Sequence, residues 1–192
     1  MSDRTIPFIK GDKIYLRSLV PGDADGGYIE WFNDPEVCTG NQHHRIPFTK
    51  AEAQAYIAAV QRFDKEFVLA IIRTEDDRHI GNIGLNKIDR VNQTAEFAIV
   101  IGDRESWGRG YSKEASRLLL DHAFFELNLN RVHCGTFESN QPMRRLAMYL
   151  GMQEEGCRRE HLFKANRYHS MVEFGVLRRE YIERFGMPQS QK

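Results

Sequence analysis

At 192 residues, with 41% hydrophobic and 28% charged side chains, the chain is long enough for one well-cored domain and too ordinary in composition for a disordered or fibrous protein. Its 27 basic and 27 acidic side chains cancel, so the charge balance indicates neither a nucleic-acid nor an anionic-membrane partner. Cys38, Cys134 and Cys157 are an odd number without a C-x-x-C pair, and the seven histidines lack metal-ligand spacing. Reduced thiols and no metal are therefore expected. The N-terminal MSDRTIPFIKGD lacks the apolar core of a signal peptide, and no apolar run approaches the ~20 residues that span a bilayer, so a cytoplasmic protein is expected.

Lys13 to Leu19 alternates apolar and polar residues and predicts a first strand, followed by a turn at Pro21-Gly22-Asp23. A short helix through Tyr28, Ile29, Trp31 and Phe32 should end near Asn33-Asp34-Pro35, because the residue before proline disfavours the helical region. Cys38 to Phe48 forms a polar loop, and Thr49 with Glu52 makes a capping box for a second helix through Tyr56, Ile57 and Val60. Glu66 to Arg73, His79 to Ile88 and Ala95 to Ile101 predict an antiparallel meander. A helix over Ser112 to Leu127, a strand at Arg131 to Phe137, a helix from Pro142 to Leu150, two strands ending near Gly175 and a terminal helix through Leu177 and Tyr181 complete the order. Gln189 to Lys192 is expected to fray. Strands and helices in this order imply an α/β (α+β) fold, a mixed sheet with helices on both sides.

The chemistry concentrates in AEFAIVIGDRESWGRGYSKEASRLLL, which begins at Ala95. A strand runs into the loop Trp107-Gly108-Arg109-Gly110-Tyr111-Ser112 and then into a helix, so free N–H groups and the positive end of the helix dipole face an anion. Arg109 and Lys113 add charge, and the glycines let the main chain approach closely; the predicted ligand is a pyrophosphate. Gly-x-Gly alone is a weak signal, and neither G-x-G-x-x-G nor G-x-x-x-x-G-K-[ST] is present.

The run EFAIVIG…WGRGYSKEA, with RVHCGTFESNQPMRRLAMYLGM after it and IYLR, WFNDPEV and HIGNIGL before it, resembles the GNAT superfamily of acetyl-CoA-dependent N-acetyltransferases, and within it the RimJ/RimL-type branch. Nearly the whole chain is covered. The superfamily loop reads [QR]-x-x-G-x-[GA]; Trp107 and Ser112 depart from it, although W-G-[KR]-G-Y-[AS]-x-E-A is how the branch writes it. Asn140 and Gly151 stand at the family distance, with Met152 in place of the usual Phe.

The resemblance implies one acetyltransferase domain over residues 1–192, with its core over residues 12–185. It implies a mixed, mostly antiparallel sheet of seven strands, splayed between the fourth and fifth at a bulge and flanked by helices on both faces. Acetyl-CoA, as donor substrate, would lie beside Ile99, Val100 and Ile101, with its pyrophosphate on Trp107, Gly108, Arg109, Gly110, Tyr111 and Ser112, near Lys113. Asn140 would touch the lower part of the cofactor; by the residues alone it reads equally as a helix cap. A homodimer is implied as well.

For the chemistry, the A-E-[IF]-[GA] step of the branch places Glu96 as general base; a solvent-facing or ion-paired glutamate is the alternative. The Tyr that many members carry seven residues after the Asn is Ala147 here, and Tyr149 falls on another helix face, so no acid is assigned. Acceptor contacts are expected from Trp31, Asn33, His43, His44 and Arg45, with Trp31 as a core residue the other reading. The acceptor is a primary amine: an amino-sugar nucleotide by similarity of WFNDPEV and HIGNIGL, or else a protein N-terminus or a polyamine. A non-catalytic acyl-CoA-binding module is the alternative of another class.

Overall fold

The computed structural model describes residues 6–62 and 65–187; the C-terminal residues expected to fray lie outside them. In chain order the elements are β1 (Ile9–Lys10), β2 (Ile14–Ser18), α1 (Tyr28–Asn33), α2 (Lys50–Val60), β3 (Phe67–Arg73), β4 (Arg78–Asp89), β5 (Thr94–Ile101), α3 (Tyr111–Asp121), β6 (Arg131–Phe137), α4 (Gln141–Tyr149), β7 (Gln153–Lys164), β8 (Arg167–Leu177) and α5 (Arg178–Phe185). One sheet runs β1-β2-β3-β4-β5-β6-β8-β7, antiparallel except for β5 against β6. The mixed sheet with helices on both faces is therefore present with eight strands rather than seven, the extra one being the two-residue β1 paired to β2.

Helix ends follow local chemistry. Thr49 Oγ1 accepts the Glu52 N–H at 3.3 Å while Glu52 returns a carboxylate oxygen to Thr49 N at 2.7 Å, closing the box that starts α2. The helix expected from Ser112 to Leu127 instead changes winding after Asp121, continuing as a π-helical turn over His122–Glu126.

At β3 the sheet is buried on both sides, whereas the edge strand β7 is largely exposed. Leu69 and Ile71 of β3 pack into a core with Leu119, Leu120 and Phe124, whereas Val68, Ala70 and Ile72 pack against Tyr28, Trp31, Phe32 and Ile57 on the other face. That explains the nearly continuous apolar run of β3, since alternate residues serve two cores. On β5, Ala95 and Phe97 join the first core and Ile99 and Ile101 pack against it, while Val100 packs against the second. Glu96 and Ala98 therefore share the α1/α2 face with Val100.

β5 and β6 pair only through Thr94↔Arg131, Ala95↔Val132 and Glu96↔His133. Beyond that point β5 stays with β4 as far as Ile101, and β6 stays with β8 as far as Phe137, leaving a V between them. The expected bulge is there: the β4–β5 register runs unbroken from Glu96 to Ile101, and its one shift lies between the pairs Asn86↔Glu96 and Asp89↔Thr94, at the step where β5 leaves β6, with Lys87 of the bulge at φ 50°.

Candidate active site

At the open end of the V, the loop after β5 turns into α3. Gly108 and Gly110 have φ of 74° and 87°, and Gly110 is the residue preceding the helix. A Cβ on either would meet nothing within 4 Å, so the left-handed backbone, not crowding, is what requires glycine. At the start of α3 the Lys113 and Glu114 N–H groups already donate to Gly110 O at 3.1 and 3.2 Å, while those of Tyr111 and Ser112 make no main-chain bond among the described residues and stand at the positive end of the helix dipole. Trp107 is outside this donor set: its N–H is bonded to Arg104 O at 3.2 Å, and its indole Nε1 donates to Ile101 O at 2.8 Å, tying the loop to the end of β5. Arg109 is exposed and makes no ion pair among the described residues, while Lys113 Nζ lies 4.8 Å from the Tyr149 ring centroid. The arrangement is a main-chain cradle for an anion, with one free guanidinium beside it.

Where β5 and β6 part, Glu96 faces the α1/α2 side and pairs with Lys87 Nζ at 2.7 Å. His133 stands opposite Glu96 in the last strand pair, and burial lowers its proton affinity against the pull of that carboxylate. Cys134, pointing into the core, is pushed up to about 12 by burial and is inert.

On the same face as Glu96, a cavity of about 260 Å³ opens between α1, α2, the 34–48 loop and strands β4 and β5. Tyr28, Phe32, Phe48 and Tyr56 form one wall, Asn82 and Asn86 with Ala98 and Val100 form the floor, and His43 stands at the side. Burial, with Lys164 nearby, lowers the proton affinity of His43, whose ring sits 4.3 Å from that of Phe32.

The loop over this cavity is fastened from beneath. Lys164, at the end of β7, donates to the carbonyls of Cys38, Asn41 (2.7 Å) and His43 (3.0 Å), and Arg45 donates to Phe163 O at 2.8 Å. Asn140 does two jobs: its Oδ1 accepts the Met143 N–H that starts α4, and its Nδ2 donates to Gly40 O at 3.1 Å. Asn33 brackets Phe48, accepting its N–H at 2.8 Å and donating to its carbonyl at 2.7 Å.

Behind the floor lies a buried chain. Arg17 donates two bonds to Asp23, Asp23 Oδ1 is 3.4 Å from His79 Nδ1, and His79 Nε2 is 2.9 Å from Asn82 Oδ1. Burial would raise Asp23, but the Arg17 guanidinium and His79 hold it well below the usual carboxylate range.

Of the residues expected to meet the acceptor, the cavity takes in His43 but not the others. Trp31 is buried, edge-on to Tyr28 and His79, over Gly102, where any Cβ would collide with the indole. It holds α1 against the end of β5. Its rim borders a second cavity of about 510 Å³ whose charged walls include Glu30, Arg78 and Asp103. His44 is exposed with φ 60°, and Arg45 is spent on the hairpin carbonyl. The aromatic wall, the two floor asparagines and Lys164 escaped sequence reasoning. Asn82, Gly84 and Asn86 did carry a signal, as small or polar residues at alternate positions of an apolar strand. Lys164 carried none.

A family profile described as an acetyltransferase (GNAT) domain matches residues 13–153. An uncharacterized N-acetyltransferase of Bacillus licheniformis is 33% identical over 174 residues, covering 88% of this chain and 96% of that protein. Spermidine N(1)-acetyltransferase of Vibrio cholerae is 30% identical over 105 residues, covering 55% and 60%. The crystal structure of spermidine N-acetyltransferase from Vibrio cholerae in complex with CoA and spermine has a TM-score of 0.81 at 22% identity over 90% of this chain and 99% of that one, a likeness of fold.

Proposed function

The chain belongs to the GNAT acetyltransferase family, and from that premise we propose that it moves an acetyl group from acetyl-CoA directly to a primary amine. The observation that carries the donor half is the cradle: two left-handed glycines at the start of α3, reached along a β5 edge that β6 has abandoned. The pyrophosphate sits on the N–H groups of Gly108 to Ser112 beside Arg109, and the pantetheine arm lies along Ile99, Val100 and Ile101 like an added strand. Asn140 serves that half indirectly, capping α4 while holding Gly40 of the acceptor loop.

The acetyl donor supplies an activated carbonyl, and everything else falls to the chain. An amine entering from the α1/α2 face attacks the carbonyl carbon; the C–N bond forms, the C–S bond breaks and the thiolate departs. Glu96 takes the proton released by the amine, through a water, from its place at the vertex on that same face. Ala147, at the position where many relatives carry a tyrosine, is fully buried, and Tyr149 is turned towards Lys113 and Phe185. A thiolate is a fair leaving group near neutral pH and departs without a side-chain acid.

The test is free-thiol release from acetyl-CoA over a panel of amines, alongside calorimetric CoA binding. Turnover that Glu96→Gln abolishes while CoA affinity stays intact is the expected result; CoA binding without turnover on any amine would sink the proposal.

A further inference from the structure

We propose that the cavity beneath the 34–48 loop is the acceptor site and that it selects a monoamine carried on an uncharged, apolar body over a polyamine or a phosphorylated sugar. This rests on the acetyl-transfer reading above and adds the substrate class to it.

Position comes first. The cavity shares Ala98, Ile99 and Val100 with the strand whose free edge takes the donor, and it opens on the face opposite α3. Glu96 lies two residues before Ala98 on that face, and Asn86 of the cavity floor is its cross-strand neighbour. An amine seated there meets the thioester beside the proposed base.

The chemistry of the lining then narrows the amine. No Asp, Glu, Lys or Arg is among the lining residues. The titratable groups are His43, Tyr28 and Tyr56, and burial raises both tyrosines, so they stay as neutral phenols. A second ammonium seated against this wall meets no carboxylate in the lining, those next to its tyrosines being Asp23, bonded to Arg17 behind Tyr28, and Glu66, outside the lining beside Tyr56, and an unpaired charge there is the costly arrangement. Aromatic faces could in part replace one, yet Tyr28 already packs edge-on to Phe32 and Phe48, at 5.2 and 5.8 Å between centroids. A phosphate fares no better, because no cation lines the cavity: Lys164 gives its ammonium to three loop carbonyls, and Arg45, bonded to Phe163 O, lies outside the lining. Size agrees. About 260 Å³ lies below the ~300–1,000 Å³ usual for ligand pockets, room for a ring or a short alkyl chain. The exposed Ala98 leaves that room next to the reacting strand.

The decisive comparison is a matched pair. Pentylamine and 1,5-diaminopentane differ by one terminal nitrogen; 2-phenylethylamine, spermidine, an amino-sugar nucleotide and an N-terminal peptide complete the panel, with free-thiol release as readout. We expect kcat/KM for pentylamine and 2-phenylethylamine to exceed that for the diamine and spermidine at least tenfold. Ala98→Leu should lower it at least tenfold with CoA affinity unchanged, and Asn86→Asp should shift the ratio towards the diamine by a similar factor. Preference for the diamine, the amino-sugar nucleotide or the peptide would overturn the assignment of substrate class and leave acetyl transfer standing. Thiol release with no amine at all would overturn both.

Discussion

The two halves of the site are built from different materials. The proposed donor half is main chain: N–H groups around the start of α3, two left-handed glycines and an unpaired strand edge, with Arg109 as the one side chain offered freely. The acceptor half is side chain throughout, assembled from α1, α2, β4, β5 and a loop that Lys164 holds from the far hairpin. A main-chain site depends on few residue identities, and those few lie close together in sequence. A side-chain site spreads its identity across the whole chain.

If that division is right, variants in one half should leave the other's readout unmoved. The largest effect is expected where the halves meet. Glu96→Gln should cut turnover by ~10²–10⁴-fold, the usual worth of general base catalysis, with acetyl-CoA affinity within experimental error of wild type. A Glu96→Gln enzyme that turns over normally would make the Lys87 pair merely structural.

Next comes the cradle itself. Gly110→Asp sets a carboxylate facing the phosphates at a left-handed position that aspartate tolerates better than most residues, so CoA affinity should fall by about 10²-fold in calorimetry mainly through charge repulsion. Folding, followed by thermal unfolding, should survive. Within the acceptor half, Lys164→Met frees three loop carbonyls. The acceptor KM should rise about tenfold, the amount one to two lost hydrogen bonds would carry, while CoA affinity holds. Faster proteolytic cleavage within residues 34–48 would show that the loop had been released. A matching rise in the CoA dissociation constant would break the separation. The smallest effect belongs to Arg109→Ala, an exposed charge-assisted contact, for which a three- to tenfold loss of CoA affinity that shrinks with added salt is expected, on the order of 1 kcal/mol.

The same division accounts for what could be read before the structure. The strand, glycine loop and helix over residues 95–120 were legible because hydrophobic period, glycine placement and helix start are local. The β3 run, the Thr49 box and the order of elements along the chain were legible for the same reason. The two-residue β1 and the π-helical turn after Asp121 were not, since neither leaves a periodic trace. The polar WFNDP and QHHR segments looked like an acceptor surface because polar and aromatic residues cluster there. Burial put Trp31 into the core, and hydrogen bonding committed Asn33 and Arg45 to backbone partners. The aromatic wall comes from four residues between Tyr28 and Tyr56 whose convergence requires α1 and α2 to be folded over β4.

Whether main-chain groups at the start of α3 hold the donor is tested most directly by amide NMR during titration with CoA. The largest shifts are expected at the N–H signals of Gly108 to Ser112 and along Ile99 to Ile101, with those of Tyr28, Phe48 and Tyr56 nearly still. Saturating CoA that leaves the Gly108 to Ser112 amides unmoved, and shifts the aromatic wall instead, would contradict main-chain binding.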